Sequence, residues 1–281
     1  MIETRLADAV AAWLPVARQT ADAEMERDWF WRGVEADARW AFFRTYEDLL
    51  ALADSIAAAR IVAGRAASDA QRALGRYHAA HRELQALLLR AGPEDFDRAP
   101  APGEWPLRDV LGHIMRGDAG FVRVARWALD RHRLHDDQPL AVPEDAPASA
   151  ADQARAAGTM TEALDRWASL HARVLDELAG TPDGDLAARV SWWYEADVRF
   201  QFHRFDAHLR EHTIQAEKVL QAILPPATDA WRTLQLIYRA LGEAEGAALG
   251  AEDLADPLVV PVAAGIRERA GELLALAGTI G

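Results

Sequence analysis

The chain has no cysteine among its 281 residues, which excludes disulfides, thiolate metal ligands and a cysteine nucleophile. A metal held by this protein must sit on His, Asp or Glu, and thiol chemistry needs a thiol from outside. Lysine is nearly absent as well: Lys218 stands alone among many arginines, a coding bias that carries no mechanism. No apolar stretch approaches the ~20 uninterrupted residues of a membrane-spanning helix. The start, Met1-Ile2-Glu3-Thr4-Arg5, lacks the cationic and apolar blocks of a signal peptide, so a cytoplasmic protein without a membrane partner is expected. Positive charge is also short. The 31 Lys plus Arg against 44 Asp plus Glu leave a net charge of −13, which repels a phosphate backbone and argues against a nucleic-acid partner.

Alternating β-branched runs are almost missing, whereas apolar residues make up 51% of the chain, enough for a sizeable core. They recur at three- and four-residue spacing amid Ala, Leu, Arg and Glu, so the expected class is all-α with no sheet required. Residues 1–66 read as an N-terminal extension of two or three helices. Its aromatic surface, Trp13, Trp29, Trp31, Trp40, Phe42 and Phe43, must be buried, by docking on the rest of the chain or in a homodimer. Four long helices follow over 67–224. The first runs from 68 to 91 and stops at Gly92-Pro93; the second opens at Trp105-Pro106 and runs to about 130. The stretch 134–149, with Pro139, Pro143 and Pro147, reads as a long crossover loop. The third helix spans about 150–179 and the fourth about 195–224, ended by Pro225-Pro226. Four long helices with one long connection describe a four-helix bundle. Residues 225–281 form a C-terminal helical appendage, divided by Asp256-Pro257-Leu258-Val259-Val260-Pro261 and packing with the N-terminal segment. No fixed-period repeat or low-complexity tract is apparent.

Histidines carry the functional signal. His208 and His212 lie four residues apart on the apolar stripe Gln201, Phe205, His208, His212, Gln215, Val219 of the fourth helix, where one ion can be reached by both. Burying two imidazoles costs free energy unless each nitrogen finds a partner. That partner is either a core hydrogen bond or a metal, and a third ligand from another helix decides between them. His113, near the inward face of the second helix, is the candidate. Gly112 and Gly117 beside it are costly inside a helix and suit close approach of a neighbouring helix or a ligand. His78 and His81 read as pocket-rim or surface residues, His132 and His135 as solvated, and His171 and His203 as lacking paired partners.

The run Gly103-Glu104-Trp105-Pro106-Leu107-Arg108-Asp109-Val110-Leu111-Gly112-His113, with His208-x-x-x-His212-x-x-Gln215, resembles the DinB-like superfamily of metal-dependent enzymes. Tyr77 to Asp97, ending Pro93-Glu94-Asp95-Phe96-Asp97, is similar to that family's first helix and loop; the likeness covers about residues 68–224. The resemblance implies an up-up-down-down four-helix bundle with a divalent metal, zinc or nickel, on His113, His208 and His212. It further implies chemistry like that of thiol-dependent S-transferases or a mycothiol-dependent maleylpyruvate isomerase. The family name derives from DNA-damage induction and says nothing of DNA binding.

Three imidazoles leave a coordination position open, where a water or thiol is deprotonated near neutral pH. A transferase using a low-molecular-weight thiol, or a hydrolase, acting on a small molecule is therefore expected. The competing reading is a non-catalytic metal- or ligand-binding bundle in stress response. Gln215 and Asp109, each one turn from a ligand histidine, are expected to orient the ligands. Arg204 or Arg116 would bind an anionic substrate, and Glu211 would serve as a base only if it faced the site.

Overall fold

The computed structural model describes residues 2–135, 141 and 154–278, so the crossover loop expected over 134–149 lies largely outside the described residues. Its elements in chain order are α1 (Ile2–Ala11), α2 (Trp13–Gln19), β1 (Asp28–Trp31), β2 (Val34–Asp37), α3 (Ala38–Val62), α4 (Asp69–Leu88) and α5 (Leu107–Arg133). They continue with α6 (Met160–Leu178), β3 (Arg189–Ser191), β4 (Glu195–Asp197), α7 (Val198–Ile223), α8 (Asp229–Ala248) and α9 (Glu252–Gly278). The protein is mostly helical, and none of the described helices is long and apolar enough to cross a membrane. The chain divides into two compact units, Ser68–Pro225 and the combination of Met1–Ala67 with Pro226–Gly281.

In the unit Ser68–Pro225, α7 packs on α4 and α5, and α6 packs on α5 and α4. The helices start where side chains satisfy their free N–H groups. Ser68 accepts from Gln71 N at 3.1 Å while Gln71 Oε1 accepts from Ser68 N, and Thr159 and Glu162 repeat that reciprocal cap. This cap, just after Gly158 at φ +83°, starts α6 at Met160 rather than near 150. Leu74, Tyr77, Phe121, Trp167, Phe202 and Phe205 are fully buried between the helices. Each such side chain is worth roughly 1.5–3 kcal/mol over its exposed state.

Two hairpins correct the expectation that no sheet is needed. β1 pairs antiparallel with β2 and β3 with β4. The residues 195–197, read from sequence as the first turn of a helix, pair as a strand because Asp197 is the cap: its Oδ1 accepts from Phe200 N at 2.8 Å, so the helix begins at Val198. Runs of three or four residues are too short for alternation to stand out against helical spacing.

In the other unit, α3 packs against α8 and α9, and α1 against α9. Trp13 and Phe42 are fully buried with ring centroids 4.5 Å apart, while Phe43 is 38% exposed. A second correction concerns 256–261, expected to separate two helices. That segment lies inside α9, which contains both Pro257 and Pro261, and the break falls at Leu249–Ala251, where Gly250 takes φ +70°. Each proline removes one donor, yet its fixed φ is helical, and the buried Ala255, Val259 and Ala263 hold the helix in place.

Candidate metal centre

Helical register puts His208 and His212 one turn apart on α7, and packing of α5 on α7 brings His113 to them. One nitrogen from each ring lies within 4.8 Å of the other two. The ring centroids are 5.3 Å apart for His113 and His208, 4.6 Å for His113 and His212, and 4.5 Å for His208 and His212. His208 and His212 are buried and His113 is half-buried.

Burial, then His212, His113, Arg204 and Arg116, drive the pKa of His208 down to about 3. The ring is neutral at physiological pH and its lone pair is available. Its Nδ1 is buried without a hydrogen-bond partner among the described residues, a cost that a core imidazole normally avoids. Gly117 makes room for it: a Cβ there would overlap Cε1 of His208 and stand 2.8 Å from Nδ1. Three neutral-capable imidazoles, an orphaned buried nitrogen and a helix relieved of its side chain fit a borderline divalent cation.

The surrounding polar groups set ring states. Gln215 Oε1 lies 2.8 Å from His212 Nδ1; an amide oxygen only accepts, so Nδ1 carries the proton and Nε2 keeps its lone pair. Arg116 Nη2 donates to His113 Nδ1 at 2.9 Å. Asp109, expected to orient His113, is half-buried one turn earlier on α5. Arg204 lies over Phe121 at 5.8 Å, Phe121 meets His208 edge-on at 5.3 Å, and Arg204 Nε is buried without a partner among the described residues. Glu211 is exposed. Trp105, 41% exposed, approaches His113 at 5.3 Å.

Beneath the triad lies a polar layer that sequence reasoning missed. Tyr77 donates to Asp118 Oδ2 at 2.7 Å; both are fully buried, and burial raises the Asp118 carboxyl to about 7 and the Tyr77 hydroxyl well above its usual value. His78 and His81, read as rim or surface residues, are buried, and His171 has a partner: its Nε2 lies 2.8 Å from His78 Nδ1. His171 stacks on His81 with centroids 3.7 Å apart. Burial holds His81 and His171 well below the usual imidazole range. The polar neighbours Arg76, Arg82 and Glu83 lie on the flanks of α4 and concealed a His face that points inward. Asp118 was legible only as one member of the buried stripe Ile114, Asp118, Phe121, Ala125. His203, read as lacking a paired partner, is exposed on α7 with Arg76 Nη2 3.4 Å from its Nδ1.

No curated protein and no solved structure matches the chain. A family comparison matches residues 76–216 to the DinB superfamily, a span that contains His113, His208 and His212 and about half of the sequence. The chain belongs to the DinB superfamily.

Proposed function

We propose that Ser68–Pro225 is an up-up-down-down four-helix bundle that holds one divalent metal ion, zinc or nickel, on His113, His208 and His212. On this reading the protein is a metal-dependent enzyme for a small anionic molecule, working as a transferase with a low-molecular-weight thiol or as a hydrolase. The observation that carries the reading is the convergence of three imidazoles from two helices, one nitrogen of each within 4.8 Å of the others. When bound, an ion on three histidines keeps a position open and deprotonates a water or thiol there near neutral pH.

The chain's own residues have separable tasks. Gln215 holds the proton of His212 on Nδ1 and aims Nε2 inward. Gly117 lets the His208 ring lie against the backbone of α5. Arg204 and Arg116 both act electrostatically on His208, and such a pair of guanidinium groups suits a carboxylate or phosphate on the substrate. Trp105 beside His113 and Phe121 beside His208 supply apolar neighbours. Because the chain contains no cysteine, sulfur for a transfer must enter as a small thiol.

Elemental analysis of untagged protein tests the reading. About one divalent ion per chain is expected in the wild type, with most of it lost in His208→Ala and His212→Ala. Equal metal content in the three proteins removes the proposal.

A further inference from the structure

We propose that the unit formed by residues 1–67 and 226–281 is a second, circularly permuted copy of the fold that carries the triad, and that an ion pair of the buried Arg269 with Asp48 has overwritten its metal position. The repeat stands on its own evidence; the overwritten site rests on the metal reading above.

The two units make the same bonds at corresponding places. Asp229 N, opening α8, donates to Asp22 Oδ1 at 2.6 Å, as Asp69 N, opening α4, donates to Asp183 Oδ1 at 2.8 Å. Arg39 pairs with Asp229 as Arg199 pairs with Asp69, and Arg232 and Arg72 add a second guanidinium three residues on. Asp37 caps α3 through Trp40 N and Asp197 caps α7 through Phe200 N. Ala38 N donates to Arg27 O at 3.1 Å, and Val198 N to Ala188 O at 2.9 Å.

One numbering fits all of these pairs. Residues before the hairpin turn correspond 161 positions apart and those after it 160 apart, because the second hairpin is one residue shorter from end to end: Asp28 pairs with Asp37, and Arg189 with Asp197. Glu35-Ala36-Asp37 thus falls on Glu195-Ala196-Asp197, Phe42 on Phe202 and Leu49 on Leu209. The last helix follows at 148. Arg269 meets Thr45, Asp48 and Trp31 where Phe121 meets Phe205, His208 and Trp192, and the numbering matches each partner. Buried Ala255, Val259, Ala263, Ile266, Ala270 and Leu273 fall on buried Leu107, Leu111, Met115, Asp118, Val122 and Ala125. The repeat, not apparent from sequence, escapes a search for a fixed period because its spacing changes at the hairpin and again at the last helix.

The triad is where the copies part. His208, His212 and His113 correspond to Asp48, Leu52 and Pro261. In place of three imidazoles there is a guanidinium: Arg269, 3% exposed, donates from Nη2 to Asp48 Oδ2 at 2.6 Å and from Nε to Thr45 Oγ1 at 3.2 Å. Gly265 stands where Gly117 stands, yet a Cβ there would meet only the Arg269 guanidinium, at 3.9 Å. A glycine that yields space to an imidazole persists where no imidazole remains. A fixed side-chain cation occupies one copy and leaves the other to hold an exchangeable one, so the chain carries one metal position and not two.

Two measurements test this. Without metal, in chelator, Asp48→His and Arg269→Phe are each expected to lower the thermal midpoint by several degrees. The double variant, which recreates the pair His208 and Phe121, should regain more than half of the loss; a double no more stable than the worse single overturns the repeat. The second measurement adds Leu52→His and Pro261→His to that double in a His208→Ala/His212→Ala background and titrates it with zinc alone. One zinc per chain is expected, against none in the parent; a folded graft that takes up no zinc overturns the overwritten site. Wild type without zinc beside a recovered double overturns the metal reading and the overwriting while the repeat stands. A graft that fails to fold likewise counts against the overwritten site, and the repeat then stands or falls on the double variant.

Discussion

His208 of α7 lies directly against the backbone of α5 at Gly117, in a space that any Cβ at residue 117 would fill. Helix propensity alone favours Gly117→Ala by about 1 kcal/mol. Here the new methyl pushes the imidazole off its position, so we expect the variant to stay folded but to bind zinc at least tenfold more weakly. Thermal unfolding in chelator and zinc titration, run side by side, separate the two effects. Unchanged zinc affinity would show that the His208 ring position is immaterial to binding.

Gln215 fixes the tautomer of His212. Its replacement by Leu keeps the volume but removes the acceptor, and loss of such a partner costs about 10–100-fold in metal affinity. Gln215→Glu, an acceptor with charge, should bind zinc as tightly as the wild type or more tightly. Competition against a chromophoric chelator reads both variants, and equal affinities for Leu and Glu would remove Gln215 from the site.

The guanidinium of Arg204 makes a positive charge on His208 costlier, and a divalent ion suffers the same repulsion. Arg204→Met is therefore expected to tighten zinc binding several-fold while weakening the binding of anions such as oxalate or phosphate to the zinc-loaded protein. Calorimetry with zinc and then with the anion measures the two halves. Parallel changes in both would mean that Arg204 props up the fold and has no part in recognition.

What the sequence made readable follows from how strongly each feature is patterned. His113, His208 and His212 stood out because two lie one turn apart on an apolar stripe and the third adjoins unexplained glycines, and packing of α5 on α7 brings them together. The start of α4 was legible through Ser68 and its end through Gly92-Pro93, since caps and breakers act locally. The hairpins were not, because β3 and β4 have three residues each and Asp197 doubles as a helix cap. The buried His78, His81 and His171 layer was hidden by charged neighbours on the flanks of the same helix. Pro257 and Pro261 misled because a proline's breaking tendency yields to a helix held on both sides by buried residues such as Val259 and Ala263.

Asp118 gives the clearest dependence on pH. Its carboxyl, fully buried and held by Tyr77, titrates at about 7 in the fold against 3.8 in an exposed chain. Between those values the folded form keeps a proton that the unfolded form has lost, so stability falls as pH rises from about 4 to about 7 and levels off above. At one pKa unit per factor of ten, the loss is on the order of a few kcal/mol at neutral pH. His81 and His171 act in the opposite sense, since their pKa values are depressed by burial and stability is lost as pH falls below about 6.5. Asp118→Asn isolates the carboxyl: it still accepts from Tyr77 but never ionises. Urea unfolding of both proteins in chelator at pH 5, 6, 7 and 8 should show the variant gaining on the wild type as pH rises, with most of the gain complete by pH 8. A stability difference that does not change with pH would mean that Asp118 is ionised throughout and that the layer beneath the triad holds its charge by another route.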